Sequence, residues 1–160
     1  MWWSRRALLA PLALAACGFE PLYAPGSAAA SLEGRIVLGE PEGRFGFLLR
    51  DRLETRFGAP EAPLYRLIVV TRLSEEDSAI LTETAISRIN LSGRSSFSVT
   101  RLDGPEELIG GEVRAFTSYN TTASPFAADV AGQEAERRLA ISLADQIVLR
   151  LTASAESWVL

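Results

Sequence analysis

The stretch from Ala85 to Thr100 constrains the fold more than any other part of the chain. Ala85, Ile89, Leu91, Phe97 and Val99 occupy odd positions, while Arg88, Asn90, Ser92, Arg94, Ser96, Ser98 and Thr100 occupy even ones. Successive side chains of a strand point to opposite faces, so this alternation calls for a strand with one buried and one wet face. Gly93 interrupts the pattern and marks a candidate bulge or bend. Between 79 and 102 the alternation fits one long strand or two shorter ones. A sheet with one apolar face must bury it against other elements.

Two segments can supply that cover. Phe45, Leu48, Leu49, Leu53 and Phe57 recur at helical spacing, with Arg44, Arg50, Asp51, Arg52, Glu54 and Arg56 mostly on the other side. Gly58 stops this helix and Pro60 follows just beyond. The second helix opens at Ser124-Pro125, a capping hydroxyl followed by a residue suited to the first helical position. Ala140, Leu143, Ile147 and Leu151 form its stripe, which weakens one turn upstream at Glu136. Helical from 126 to 152, it would span about 40 Å at 1.5 Å per residue. Glu134, Glu136, Arg137 and Arg138 read as a solvated patch.

The remaining elements are strands and turns. Arg35 to Gly39 is a short apolar strand, broken by Pro41 and Gly43. Leu64 to Leu73 places Tyr65, Leu67, Val69, Thr71 and Leu73 on one face, and Ser74 to Ser78 reads as a polar turn. Asp103-Gly104-Pro105 reverses the chain. Leu108 to Tyr119 turns Val113, Ala115, Thr117 and Tyr119 one way and Glu112, Arg114, Phe116 and Ser118 the other, with a local bulge expected at Gly110-Gly111. The order is β-α-β-β-β-α. The simplest burial is an α+β fold with both helices on one face of a mostly antiparallel, roughly four-stranded sheet. The opposite face is then polar and bears arginines.

The N-terminus carries a different kind of signal. Trp2-Trp3-Ser4-Arg5-Arg6 is a positive segment, and Ala7 to Ala13 is an apolar run broken only by Pro11. The run is too short for a permanent membrane helix, which needs about 20 residues. It has the layout of a secretory signal. Ser4-Arg5-Arg6 also has a faint twin-arginine look, so Sec and twin-arginine export both stay open. Leu14-Ala15-Ala16-Cys17 then forms a lipobox: small residues for the peptidase cleft, and a thiol to carry the diglyceride. Cys17 is the only cysteine in the chain. Gly18 follows it, with no aspartate of the kind that retains such proteins on the inner membrane, which favours the outer membrane. The expected organisation is signal peptide 1–16, lipidated N-terminus and linker 17–34, one domain 35–155 and a frayed tail 156–160.

Composition removes several functions. The mature chain keeps 14 of the 16 basic residues against 20 acidic ones, a balance of −6, which argues against a general nucleic-acid binder. There is no histidine, and lipidation consumes Cys17. Imidazole catalysis, thiol nucleophiles and most zinc sites are thereby excluded. The adjacent Glu106 and Glu107 need not converge on one point. The chain is expected to be no enzyme, with neither metal nor cofactor beyond the lipid on Cys17. All sixteen basic residues are arginine, which fits either a GC-rich coding sequence or phosphate recognition.

Cys17-Gly18-Phe19-Glu20-Pro21-Leu22-Tyr23 resembles the N-terminus of the LptE-type lipopolysaccharide-assembly lipoproteins, those of alphaproteobacteria in particular. Arg114 followed by Ser118-Tyr119-Asn120 is similar to the family's last strand, and Leu143-Ala144-Asp145-Gln146-Ile147 to its closing helix. The resemblance implies the two-layer fold already derived. It also implies an outer-membrane LptD β-barrel as partner, with this protein as its plug and assembly aid in lipopolysaccharide delivery. Arg88, Arg94, Arg101 and Arg114 are the candidate contacts: they can bind phosphate, pair with acids lining the barrel, or simply solvate the sheet. The alternative is a free-standing periplasmic lipid-binding or transporter-accessory lipoprotein.

Overall fold

The computed structural model of the chain describes residues 26–78, 88–121 and 124–159. Cys17, Ala85 and the segments around them lie outside this set. Four strands, β1 (Ile36–Leu38), β2 (Tyr65–Ser78), β3 (Arg88–Arg101) and β4 (Glu107–Asn120), form one sheet in the order β1-β2-β3-β4. The two helices are α1 (Gly43–Phe57) and α2 (Pro125–Ala153). The fold is α+β with the helices packed against the sheet, as the sequence pattern implies. β1 runs parallel to β2 and the other pairs are antiparallel. The one parallel pair follows from α1, the crossover that a parallel connection requires.

The alternation in β3 is real and decides the layering. Leu91, Gly93, Ser95, Phe97 and Val99 are buried, while Ser92, Arg94 and Ser96 are exposed. Beneath the buried face lie Leu139, Leu143, Ile147 and Leu151 of α2, and Phe45, Leu49, Leu53 and Phe57 of α1. Ser95 is the one buried hydroxyl of the strand, and it pairs with Thr71 Oγ1 at 2.7 Å. Gly93 is no bulge: its pairing runs straight from Leu73 to Ala115. A β-carbon there would sit 2.9 Å from Leu143 Cδ1 and 3.2 Å from Leu139 Cδ2. The glycine is there because α2 lies close over the sheet at that point. The register shift falls between Val99 and Thr100, which oppose Ile109 and Glu107 and leave Leu108 as the extra residue. The bulge thus precedes Gly110-Gly111 instead of sitting on it.

Capping follows the sequence. Ser124 Oγ accepts the Ala127 N–H at 3.5 Å and Pro125 is the first residue of α2. Gly58 closes α1 at φ 76°, its N–H donating to the Glu54 carbonyl at 2.9 Å. The helices are tied by charge as well as packing. Arg52 donates Nε and Nη2 to the two Asp145 oxygens, each at 3.0 Å, and Arg56 Nε lies 3.7 Å from the same carboxylate. This Asp145 bond holds the Arg52 guanidinium above its ordinary range, against a smaller opposing effect of desolvation. Arg44 reaches Glu136 at 3.7 Å, which gives the break in the α2 stripe a partner.

Three expectations are corrected. Ser74 to Ser78 is not a turn: it continues β2, paired from Ser74↔Ser92 to Ser78↔Arg88. The ladder is satisfied by backbone groups, so polar side chains do not end a strand that runs on where Ser74, Glu75 and Glu76 stay exposed. The segment read as linker is partly folded. Ala29 and Leu32 are buried around a single 3₁₀ turn, Ala30–Leu32. The tail is not frayed either, because Trp158 packs edge-on against Tyr65 with ring centroids 5.3 Å apart. Its indole N–H donates to Ser154 Oγ at 3.2 Å. One buried aromatic with a partnered N–H is enough to fix a short terminal segment.

Candidate functional site

The sheet face turned away from the helices carries a row of cations. Register sets Arg72 beside Arg94 and Arg94 beside Arg114, all at even positions that point away from the helices. The result is a row of three guanidiniums across the three long strands, spanning about 10 Å at the usual strand spacing. One carboxylate lies among them. Glu112 Oε1 accepts from Arg114 Nε at 2.8 Å and lies 2.7 Å from its Nη2, with Arg94 Nη1 at 3.4 Å. The Arg114 hydrogen bond is the main cause holding the Glu112 carboxyl below its usual range. Desolvation opposes the shift, and the charges of Arg114 and Arg94 reinforce it. Arg72 makes no ion pair among the described residues. Three guanidiniums against one carboxylate leave the row cationic.

A shallow basin of about 430 Å³ lies along this row, bordered by Ser74, Ser92 and Phe116 as well as the arginines. Phe116 is 87% exposed. Guanidinium groups meet phosphate with paired, charge-assisted hydrogen bonds, and serine hydroxyls can add donors. An exposed ring beside them offers an apolar contact. The basin therefore suits a phosphate joined to an apolar or sugar body, or an acidic protein surface with an apolar neighbour.

The four arginines singled out from the sequence separate. Arg94 and Arg114 stand together in the row. Arg88 shares their face but lies six residues along β3, about 20 Å away, where its Nε donates to Asn120 Oδ1 at 3.4 Å. Arg101 has the odd parity of the buried face and stands opposite Tyr65 at the strand end. It grips Asp103 through Nε at 2.8 Å and Nη2 at 2.7 Å. That bond raises the Arg101 pKa and lowers that of Asp103. Arg101 is thus a turn-closing residue, already occupied. Arg72, which the sequence reading passed over, takes its place. The signal was present in the parity of Leu67, Val69, Thr71 and Leu73, which puts Arg72 on the other face.

A second concavity of about 500 Å³ opens between α1 and β2, with Phe45, Leu49, Leu53, Leu67, Val69 and Leu73 among its lining. Among the described residues no group of three His, Cys, Asp or Glu side chains is placed to hold a metal. Within that same set no helix is long and apolar enough to cross a membrane.

With this geometry in hand, the fold can be placed among solved structures. It is similar to a protein from Caulobacter crescentus assigned as a lipoprotein, with TM-score 0.65 and 24% identity over 81% of this chain and 96% of that one. It is also similar to an uncharacterized lipoprotein B from Nitrosomonas europaea, with TM-score 0.61 and 16% identity over 88% and 94%. The rare lipoprotein B of Shewanella oneidensis follows at 0.53 and 16%, over 76% and 94%. The fold is that of these lipoproteins. No family model matches the chain, and no curated protein matches its sequence. At these identities the likeness speaks for the fold.

Proposed function

We propose that the chain is an outer-membrane lipoprotein of the LptE type. In this reading it is a non-catalytic plug and assembly partner of an LptD-type β-barrel, aiding lipopolysaccharide delivery to the outer leaflet. It is anchored through acyl chains on Cys17, two or more of which hold a protein stably where one does not. The observation that carries the reading is the arginine row of Arg72, Arg94 and Arg114, lying on a sheet face that no element of the described residues covers. A free-standing domain has little use for a flat, cationic, aromatic-edged face. A plug has a wall to meet and an anionic glycolipid to pass. The lipobox, the N-terminal motif and the lipoprotein fold support the same reading.

The row acts by binding. It can hold lipopolysaccharide phosphates during passage, or acidic groups of the barrel lumen, and in either case the guanidiniums meet oxyanions through paired hydrogen bonds. No bond is made or broken, and no cofactor is required. The concavity beneath α1 favours the second reading, a periplasmic lipid-binding lipoprotein. A detergent pull-down of the mature lipoprotein from outer membranes, washed at high salt, separates the two. A large β-barrel recovered in stoichiometric amount is expected. Recovery of the lipoprotein alone, or with inner-membrane transporter subunits, overturns the plug reading in favour of the second.

A further inference from the structure

The two edges of the sheet are treated differently. On the β4 edge, α2 reaches over: Gln146 Nε2 donates to the Arg114 carbonyl at 3.1 Å, and Arg138 Nη2 donates to the Ser118 carbonyl at 3.3 Å. Among the described residues the β2 edge has only β1, and β1 is three residues long, its last pair being Leu38↔Leu67. The Tyr65 N–H donates to the Arg35 carbonyl at 3.1 Å, and the Leu67 carbonyl accepts the Gly39 N–H at 2.8 Å. Odd residues of β2 therefore turn their backbone groups toward β1, and even residues turn theirs toward β3. Past Leu67 the backbone groups of Val69, Thr71, Leu73 and Glu75 point to an edge where, among the described residues, no strand lies. Ile68, Val70 and Leu73 on this stretch are exposed. Sheet proteins ordinarily blunt such an edge, because it is a ready template for another strand.

The concavity between α1 and β2 lies along this same edge. It occupies the place a longer β1 would have filled, over the inner face of Val69, Thr71 and Leu73 and under Phe45 and Leu49 of α1. A strand laid 4.7–4.9 Å from β2 would continue the line of β1. Its alternate side chains would enter the roughly 500 Å³ space. The geometry points to one kind of occupant: an extended polypeptide, apolar at alternate positions, bound by strand addition. An acyl chain could fill the space but could not satisfy the amides and carbonyls of the edge.

Resting on the plug reading above, we infer that an extended segment of the partner barrel adds to β2 alongside Val69 to Glu75. A closed barrel has no unpaired wall strand, so the segment comes from a loop or a terminal arm of that protein.

Leu73 supplies the test. Its N–H faces that edge, so Leu73→Pro removes a donor that no described residue uses, and proline is tolerated at such edge positions. Leu73→Ala keeps the donor and trims only the side chain. Wild type and both variants, each as the full lipoprotein in its own envelope, are compared for barrel recovery after detergent extraction. Melting temperature is measured on each purified protein. The expected result is equal melting temperatures for the two variants, with recovery for Leu73→Pro about tenfold below that for Leu73→Ala, the scale of one lost hydrogen bond. A photoreactive side chain at Val70 should cross-link to a loop or terminal segment of the barrel. In the complex, the amides of Thr71, Leu73 and Glu75 should gain hydrogen-exchange protection that the free wild-type protein lacks, a readout that stands even if the proline variant fails to fold. Full recovery with Leu73→Pro, unprotected amides in the complex, or a cross-link to a second copy or to lipid overturns the inference while leaving the plug reading intact. Failure of the wild type to recover any barrel overturns the plug reading itself.

Discussion

β3 presents two faces built from one strand, and they differ in what they tolerate. Its odd residues, Leu91, Gly93, Ser95, Phe97 and Val99, are sealed beneath the helices. Its even residues, Ser92, Arg94, Ser96 and Ser98, belong to a face that no other element of the described residues covers. On the inner face Leu91, Phe97 and Val99 join the hydrophobic core, and even the one hydroxyl-bearing position is partnered. On the outer face the side chains are short, polar or cationic and are accessible to a second molecule. The inner face holds the domain together, and the outer face is available for function.

The contrast can be broken hardest from the inside. Leu143→Ala, at a fully buried position beneath β3, should destabilise the domain by about 2–5 kcal/mol, as buried leucine truncations do. Urea unfolding measures it. Trp158→Ala should cost a comparable 3–5 kcal/mol, roughly that of other buried aromatic truncations. A near-neutral result there would mean that the C-terminal segment does not dock on Tyr65. Gly93→Ala comes next. Its new methyl would meet Leu143 and Leu139, and overpacking of this kind costs about 1–3 kcal/mol.

On the outer face the expected stability changes are small and the binding changes are the readout. Phe116→Ser, at an 87% exposed position, should leave stability within about 0.5 kcal/mol while weakening barrel recovery from outer membranes. Glu112 sharpens the comparison further. Its folded pKa lies below the ordinary 4.5, so its ion-pair contribution is complete above that value and is lost as pH falls through the folded value. In that acid window Arg94 and Arg114 are released. Affinity for inorganic pyrophosphate, measured by calorimetry, should rise as Glu112 protonates. Glu112→Gln should reproduce the rise at neutral pH by about twofold to fivefold, the scale of an exposed ion pair. An unchanged affinity in that variant would show that the row does not act as one site.

Much of this was legible before any coordinates. Period-two alternation gave the faces of β2, β3 and β4, helical spacing gave both stripes, and Ser124-Pro125 and Gly58 gave the helix ends. Parity alone assigns Arg72, Arg94 and Arg114 to the outer face and gives Arg101 the odd parity of the buried one. Ser74 to Ser78 was misread because polar residues signal turns locally, whereas strand pairing with Ser92 to Arg88 is decided from across the sheet.

By itself, then, the sequence determined the elements and their faces, because each depends on residues near one another in the chain. Tertiary structure alone decided which residues meet. Register brought Arg72, Arg94 and Arg114 into one row around Glu112. Close helix–sheet packing explained Gly93. The early end of β1 left the edge of β2 open, and burial drew Trp158 onto Tyr65. These are contacts between residues distant in sequence, and a local pattern of polarity carries no record of the register or the packing that joins them.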